Sequence, residues 1–111
     1  MRIDIKTSSV DLTPSFKIYI EEKLLSLAKF IKSLEETGEM EIRLEISRSA
    51  KHRKGNVFWA AADLRLPKKI LRAEAESGDA RAAIDAIKDE LRLEIEKYKT
   101  RAIALRKGKE E

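Results

Sequence analysis

The feature that most constrains how this chain folds is a long amphipathic run from Asp79 to Leu105. Apolar residues recur there at Ala80, Ala83, Ile84, Ile87, Leu91, Ile95, Tyr98 and Ala102. Such spacing gathers them on one face of an α-helix. Asp79, just after Gly78, is placed to cap the free amides of the first turn. At about 100° per residue, Arg81, Lys88, Arg92, Lys99 and Arg106 form a second line beside the apolar one. The run therefore demands a partner surface for its apolar stripe and carries a basic stripe along one flank. Two readings of that flank stay open. It is a solvated face knitted by local pairs such as Asp85 with Lys88 and Arg92 with Glu96, or it meets a polyanion.

The remaining segments supply the partner surface. Arg2 to Lys6 alternates, with Ile3 and Ile5 on one side, and predicts a short strand. Thr13 and Pro14 form a helix start: Thr caps, and Pro at the first position loses nothing by lacking an amide. The helix is expected from Pro14 to Leu34, burying Phe16, Ile20, Leu24, Leu27, Ile31 and Leu34, with Tyr19, Lys23 and Phe30 at the border. Thr37 and Gly38 end it. Met40 to Ile46 alternates as a second strand, Val57 to Leu66 as a third and Ile70 to Glu76 as a fourth. Pro67-Lys68-Lys69 makes the turn between the last two. The expected fold is α+β, in the order β-α-β-β-β-α, a four-stranded sheet with two helices packed on one face. Residues 1–105 are expected to form a single domain, and 106–111 a charged flexible tail.

Composition narrows the chemistry. The 111 residues include no cysteine and one histidine, His52, so disulfides, thiolate metal sites and most triad chemistry are excluded. No glycine-rich phosphate loop occurs among the four glycines. No apolar run approaches the length of a membrane span, and no signal-peptide core begins the chain, so a cytoplasmic protein is expected. No catalysis, cofactor, metal, membrane or small-molecule substrate is expected.

Charge is unevenly placed. The chain has a net charge of +4, yet residues 48–72 hold eight basic and one acidic side chain. The loop from Arg48 to Asn56 contains Arg48, Lys51, Arg53 and Lys54 and no acid. Ordinary loops mix signs, so this clustering points to nucleic acid. The loop, the Lys68-Lys69 turn and the basic helix flank could converge on one edge. Trp59, on the open face of the sheet, either stacks on a base or partner or lies covered by neighbouring Arg and Glu stems.

Several stretches resemble the ribosome hibernation-promoting factor family, also called ribosome-associated translation inhibitors or ribosomal subunit interface proteins. Ser9-Val10-Asp11-Leu12-Thr13-Pro14 precedes the first helix as in that family, and Glu22-Lys23-Leu24, followed by Leu27 and Lys29, is similar to its lysine-bearing first helix. The best match is DARAAIDAIKDELRLEIEKYKTR, residues 79–101. The resemblance implies binding of small-subunit rRNA, occlusion of the mRNA and tRNA sites, and translation inhibition under stress or stationary phase. It implies rRNA contacts at Lys23, Lys29, Lys88, Arg92, Lys97, Lys99 and Arg101; Arg81 joins them from the basic stripe, and Lys51, Arg53 and Lys54 from the charge distribution. Three positions depart from the family pattern: Arg81 stands where an aromatic is usual, and Glu90 and Leu93 where bases are common. Longer members carry a second domain that pairs ribosomes; this chain resembles the short form, expected to be monomeric off the ribosome. The rival readings are a generic double-stranded RNA binder, a protein-interaction module using Trp59, and a small enzyme, for which nothing but His52 speaks.

Overall fold

The structure, a computed structural model, describes residues 1–31, 40–49 and 57–110, with side chains through Arg101. The chain runs β1 (Arg2–Ser8), α1 (Pro14–Leu25), α2 (Ala28–Ile31), β2 (Glu41–Ser49), β3 (Val57–Arg65), β4 (Ile70–Ser77) and α3 (Ala80–Glu110). The strands form one sheet in the order β1-β2-β3-β4, with β1 parallel to β2 and the other pairs antiparallel. The parallel pair follows from the helical crossover between β1 and β2, which returns the chain to the end where β1 began.

Period-two alternation sets the inner face. Ile42, Leu44 and Ile46 of β2 are buried, as are Ala60, Ala62 and Leu64 of β3 and Leu71 and Ala73 of β4. Cross-strand partners on this face are Ala60 with Ala75, Ala62 with Ala73, and Leu64 with Leu71. The alanines keep the floor shallow where α3 crosses β3 and β4, so the helix approaches closely. Ile84, Ile87, Leu91 and Ile95 of α3 are fully buried against it, and Ile20 and Leu24 of α1 join the same cluster. Each such side chain contributes about 1.5–3 kcal/mol on burial. That apolar contribution, rather than surface ion pairs worth about 0–1 kcal/mol each, docks the helices.

The expectations for the two helix starts hold; Thr37 and Gly38, expected to end the first helix, lie outside the described residues. The Thr13 side chain accepts from the Phe16 amide at 3.2 Å, and Asp79 Oδ1 accepts from the Arg81 amide at 3.1 Å. At the β3–β4 turn, the Leu66 amide donates to the Lys69 carbonyl at 2.8 Å. Three expectations need correction. The first helix is not continuous. The Ser26 hydroxyl donates to the Lys23 carbonyl at 2.5 Å, and the Leu27 amide turns to Leu24 O at 3.1 Å. A serine bonding back to the helix and a tightened turn together end α1. The apolar stripe nonetheless continues, with Leu27 and Ile31 both buried; Leu34 lies outside the described residues. Arg48 belongs to β2 rather than to the loop. The backbone of α3 runs to Glu110, past Leu105.

Candidate nucleic-acid interface

The two helical segments and α3 run in the same direction, and their seam collects cations around two aromatic rings. At the first ring, Tyr19 of α1, the guanidinium of Arg81 lies 4.8 Å from the ring centroid and the Lys23 ammonium 5.4 Å. At the second, Phe30 of α2, Arg92 lies at 4.8 Å, Lys29 at 5.1 Å and Lys99 at 6.0 Å. Ring faces are electronegative, so each contact contributes about 0.5–1 kcal/mol at an exposed site. The stripe expected on α3 is thus matched by α1 and α2: Lys23, Lys29, Arg81, Arg92 and Lys99 share one surface.

Asp85 ties the first ring to α3. Its Oδ1 accepts the Tyr19 hydroxyl at 2.6 Å and faces Lys23 Nζ at 3.4 Å. The Tyr19 hydrogen bond, aided by the positive charges of Lys23 and Lys88, holds the Asp85 carboxyl below the usual carboxylate range. The same bond pushes the Tyr19 phenol up, with burial adding to it. Lys23 is raised chiefly by the Asp85 charge. Lys88 sits half-buried on the same flank.

Other expected contacts are placed elsewhere. Lys97 and Arg101 are each two residues from Lys99, about 160° around the helix, which puts them on the opposite flank. Lys97 pairs there with Glu94 at 3.4 Å; Arg101 is exposed. Lys51, Arg53 and Lys54, with His52, lie outside the described residues. The convergence expected of the loop and the Lys68-Lys69 turn involves loop residues 50–56, which lie outside the described residues. Ser49 and Val57, which bracket the loop, pair at one end of β3, whereas the turn follows Arg65 at the other. Arg81 lies in the first turn of α3, which follows β4 at the Phe58 end of β3, so the helix seam runs from one end of the sheet toward the other.

The open face of the sheet is electrically different. Arg72 pairs with Asp63 at 3.0 Å and Glu74 at 2.9 Å, Arg43 with Glu41 at 2.9 Å, Arg2 with Asp4 at 3.5 Å and Lys6 with Glu45 at 3.8 Å. A depression of about 350 Å³ on this face is lined by Lys6, Arg43, Glu45, Ala61, Asp63 and Arg72, so its charges are already matched. Trp59 is half-buried, and Ala61 beside it is buried although it points outward. On the seam, by contrast, the ion pairs among the described residues are Lys23 with Asp85 and a 3.8 Å contact from Arg92 to Glu96. Arg81, Lys29 and Lys99 rest on rings rather than on carboxylates. Rings hold a cation without cancelling it.

Tyr19, Phe30 and Asp85 were not foreseen as parts of the site. The sequence does carry a signal: Tyr19 and Phe30 are eleven positions apart, as are Arg81 and Arg92, the latter pair about three turns apart on α3. No described helix is long and apolar enough to cross a membrane, and no metal-binding cluster of His, Cys, Asp or Glu occurs among the described residues.

A small α+β body with one cationic two-helix face and one self-neutralised sheet face defines the class. The chain belongs to the family described as Sigma 54 modulation protein / S30EA ribosomal protein, whose model matches residues 3–103. It is 29% identical over 104 residues to the ribosome hibernation promotion factor of Lactococcus lactis subsp. cremoris, covering 91% of this chain and 51% of that protein. The chain thus spans about half the length of that relative. Its fold is similar to the Thermus thermophilus Protein Y N-terminal domain, with a TM-score of 0.71 and 25% identity over 88% of this chain and 99% of that one. It is also similar in fold to a ribosomal subunit interface protein from Coxiella burnetii, with a TM-score of 0.70 and 22% identity over 90% and 99%.

Proposed function

We propose that this protein is a cytoplasmic ribosome-associated translation inhibitor. It binds rRNA of the small subunit through the α1–α2/α3 seam and occludes the mRNA and tRNA sites under stress or stationary phase. The observation that carries this reading is the contrast between faces: on the seam Arg81, Lys29 and Lys99 rest on rings and make no ion pair among the described residues, whereas on the sheet Arg43 and Arg72 are paired with carboxylates at 2.9 to 3.0 Å. Phosphates attract uncancelled charge and gain by releasing counterions. Family membership supports the ribosome as the source of that RNA. The mechanism is steric and competitive: the seam holds phosphates while the body fills space that mRNA and tRNA would occupy, and no bond is made or broken.

The test is co-sedimentation with purified small subunits at physiological salt. Wild-type protein pellets with them and competes with mRNA. The combined change of Lys88, Arg92, Lys99 and Lys54 to Glu abolishes pelleting. Survival of binding in that variant refutes the proposal. The same protein offered plain duplex RNA binds it more weakly than it binds subunits; equal affinity would make it a generic duplex binder.

A further inference from the structure

Arg81 and Arg92 differ in kind from the lysines around them. Each guanidinium lies over an aromatic ring at 4.8 Å, the closest of the cation–ring contacts on the seam. The rings are fixed from below. Tyr19 is held by its hydroxyl on Asp85 at 2.6 Å, and both Tyr19 and Phe30 pack against the apolar core. The two arginines are eleven residues apart on α3, about 16 Å along the axis and about 20° around it, so they face the same way.

A guanidinium is a planar fork of five donors that matches two phosphate oxygens at once, whereas an ammonium is a point charge on a flexible stem. A fork already resting on a ring loses less freedom when it engages an oxygen pair. Arg81 makes no side-chain ion pair among the described residues, and Arg92 only the long 3.8 Å contact to Glu96. Their donors are therefore preset and available.

Building on the ribosomal function proposed above, we propose that Tyr19 and Phe30 are positioning residues that hold Arg81 and Arg92 as two preset forks for backbone phosphates of folded RNA. Fork geometry at these two points, and not charge alone, sets the affinity. Lys23, Lys88 and Lys99 supply attraction that is tolerant of geometry. The ring partner of Arg81, Tyr19, lies across the helix seam.

The experiment measures affinity of the full chain for purified small ribosomal subunits over a series of salt concentrations, with thermal midpoints taken for every variant. The double variant Arg81→Lys/Arg92→Lys keeps every charge. It is expected to bind about tenfold more weakly at each salt, with the log–log salt slope and thermal midpoint unchanged. Lys88→Arg, a control with no ring beneath it, stays within about twofold of wild type. Phe30→Leu removes a ring without touching charge and weakens binding in the same slope-preserving way; Phe30→Tyr restores it. A double lysine variant within twofold of wild type overturns the inference alone, since wild-type binding then still supports the ribosomal function. A wild type that fails to bind small subunits even at low salt overturns that function and the inference together. A changed slope in the double lysine variant also overturns the inference, because it would show that charge rather than geometry had been altered.

Discussion

Neutralising the Phe30 end of the seam should change how binding responds to salt by an amount that can be worked from the contacts. Six cations lie along the seam, Lys23, Lys29, Arg81, Lys88, Arg92 and Lys99; Lys23 faces the carboxylate of Asp85 at 3.4 Å, while Arg92 makes only the longer 3.8 Å contact to Glu96 and is counted as available. Five remain for phosphates. With about 0.7–0.9 counterions released per phosphate contact, log affinity should fall against log salt with a slope of about −4. Between about 50 and 200 mM salt, wild-type affinity then drops by about 250-fold. The triple change of Lys29, Arg92 and Lys99 to Gln leaves two contacts, a slope of about −1.6 and a drop of about tenfold over the same range. Changing Arg43 and Arg72 to Gln on the sheet face also removes two positive charges, but those side chains are matched by Glu41, Asp63 and Glu74. That pair should leave the slope near −4. The assay is sedimentation of small subunits with labelled protein at six or more salt concentrations. A triple variant that keeps the wild-type slope, or a sheet-face double that flattens it equally, would refute the assignment of binding to the seam.

Other expectations concern the scaffold. Leu91→Ala opens a hole at a fully buried position and should cost about 2–5 kcal/mol in a urea titration. Asp79→Ala removes the side-chain cap on the Arg81 amide and should cost about 1 kcal/mol, read as a lower thermal midpoint. The folded-state carboxyl of Asp85 lies below its ordinary value, so its contribution is present above the unfolded value near 3.9 and is lost as pH falls through the lower folded value. Melting curves from neutral pH downward should show that acid-side loss in wild type and less of it in Asp85→Asn. Trp59→Phe, on the self-neutralised face, should leave small-subunit affinity within about twofold while Lys99→Glu lowers it, read in one competition assay.

Much of the fold was legible because periodicity reports burial. Ile42, Leu44 and Ile46 were assigned inward by alternation, and Ile84, Ile87, Leu91 and Ile95 by steps of three and four; all are buried. The break at Ser26 was hidden because it leaves that rhythm intact: Leu24, Leu27 and Ile31 keep helical spacing on both sides of a turn made by one serine hydroxyl. The basic flank of α3 was visible in its own sequence. Its partners were not, since Tyr19 and Phe30 meet Arg81 and Arg92 only after α1 and α2 dock, and the register of that docking is set by the core. Placing Lys97 and Arg101 with Lys99 followed the resemblance, while helix geometry alone sets them on the far flank.

Because Tyr19 meets the first turns of α3 and Phe30 meets later ones, α1 and α3 lie side by side pointing the same way. Their peptide dipoles therefore add instead of cancelling, as they would in an antiparallel hairpin. Both amino ends, capped by Thr13 and Asp79, sit at one pole of the molecule. A long anion laid along the seam would feel a potential that differs from head to tail, so a strand threaded in one polarity is not equivalent to the same strand reversed.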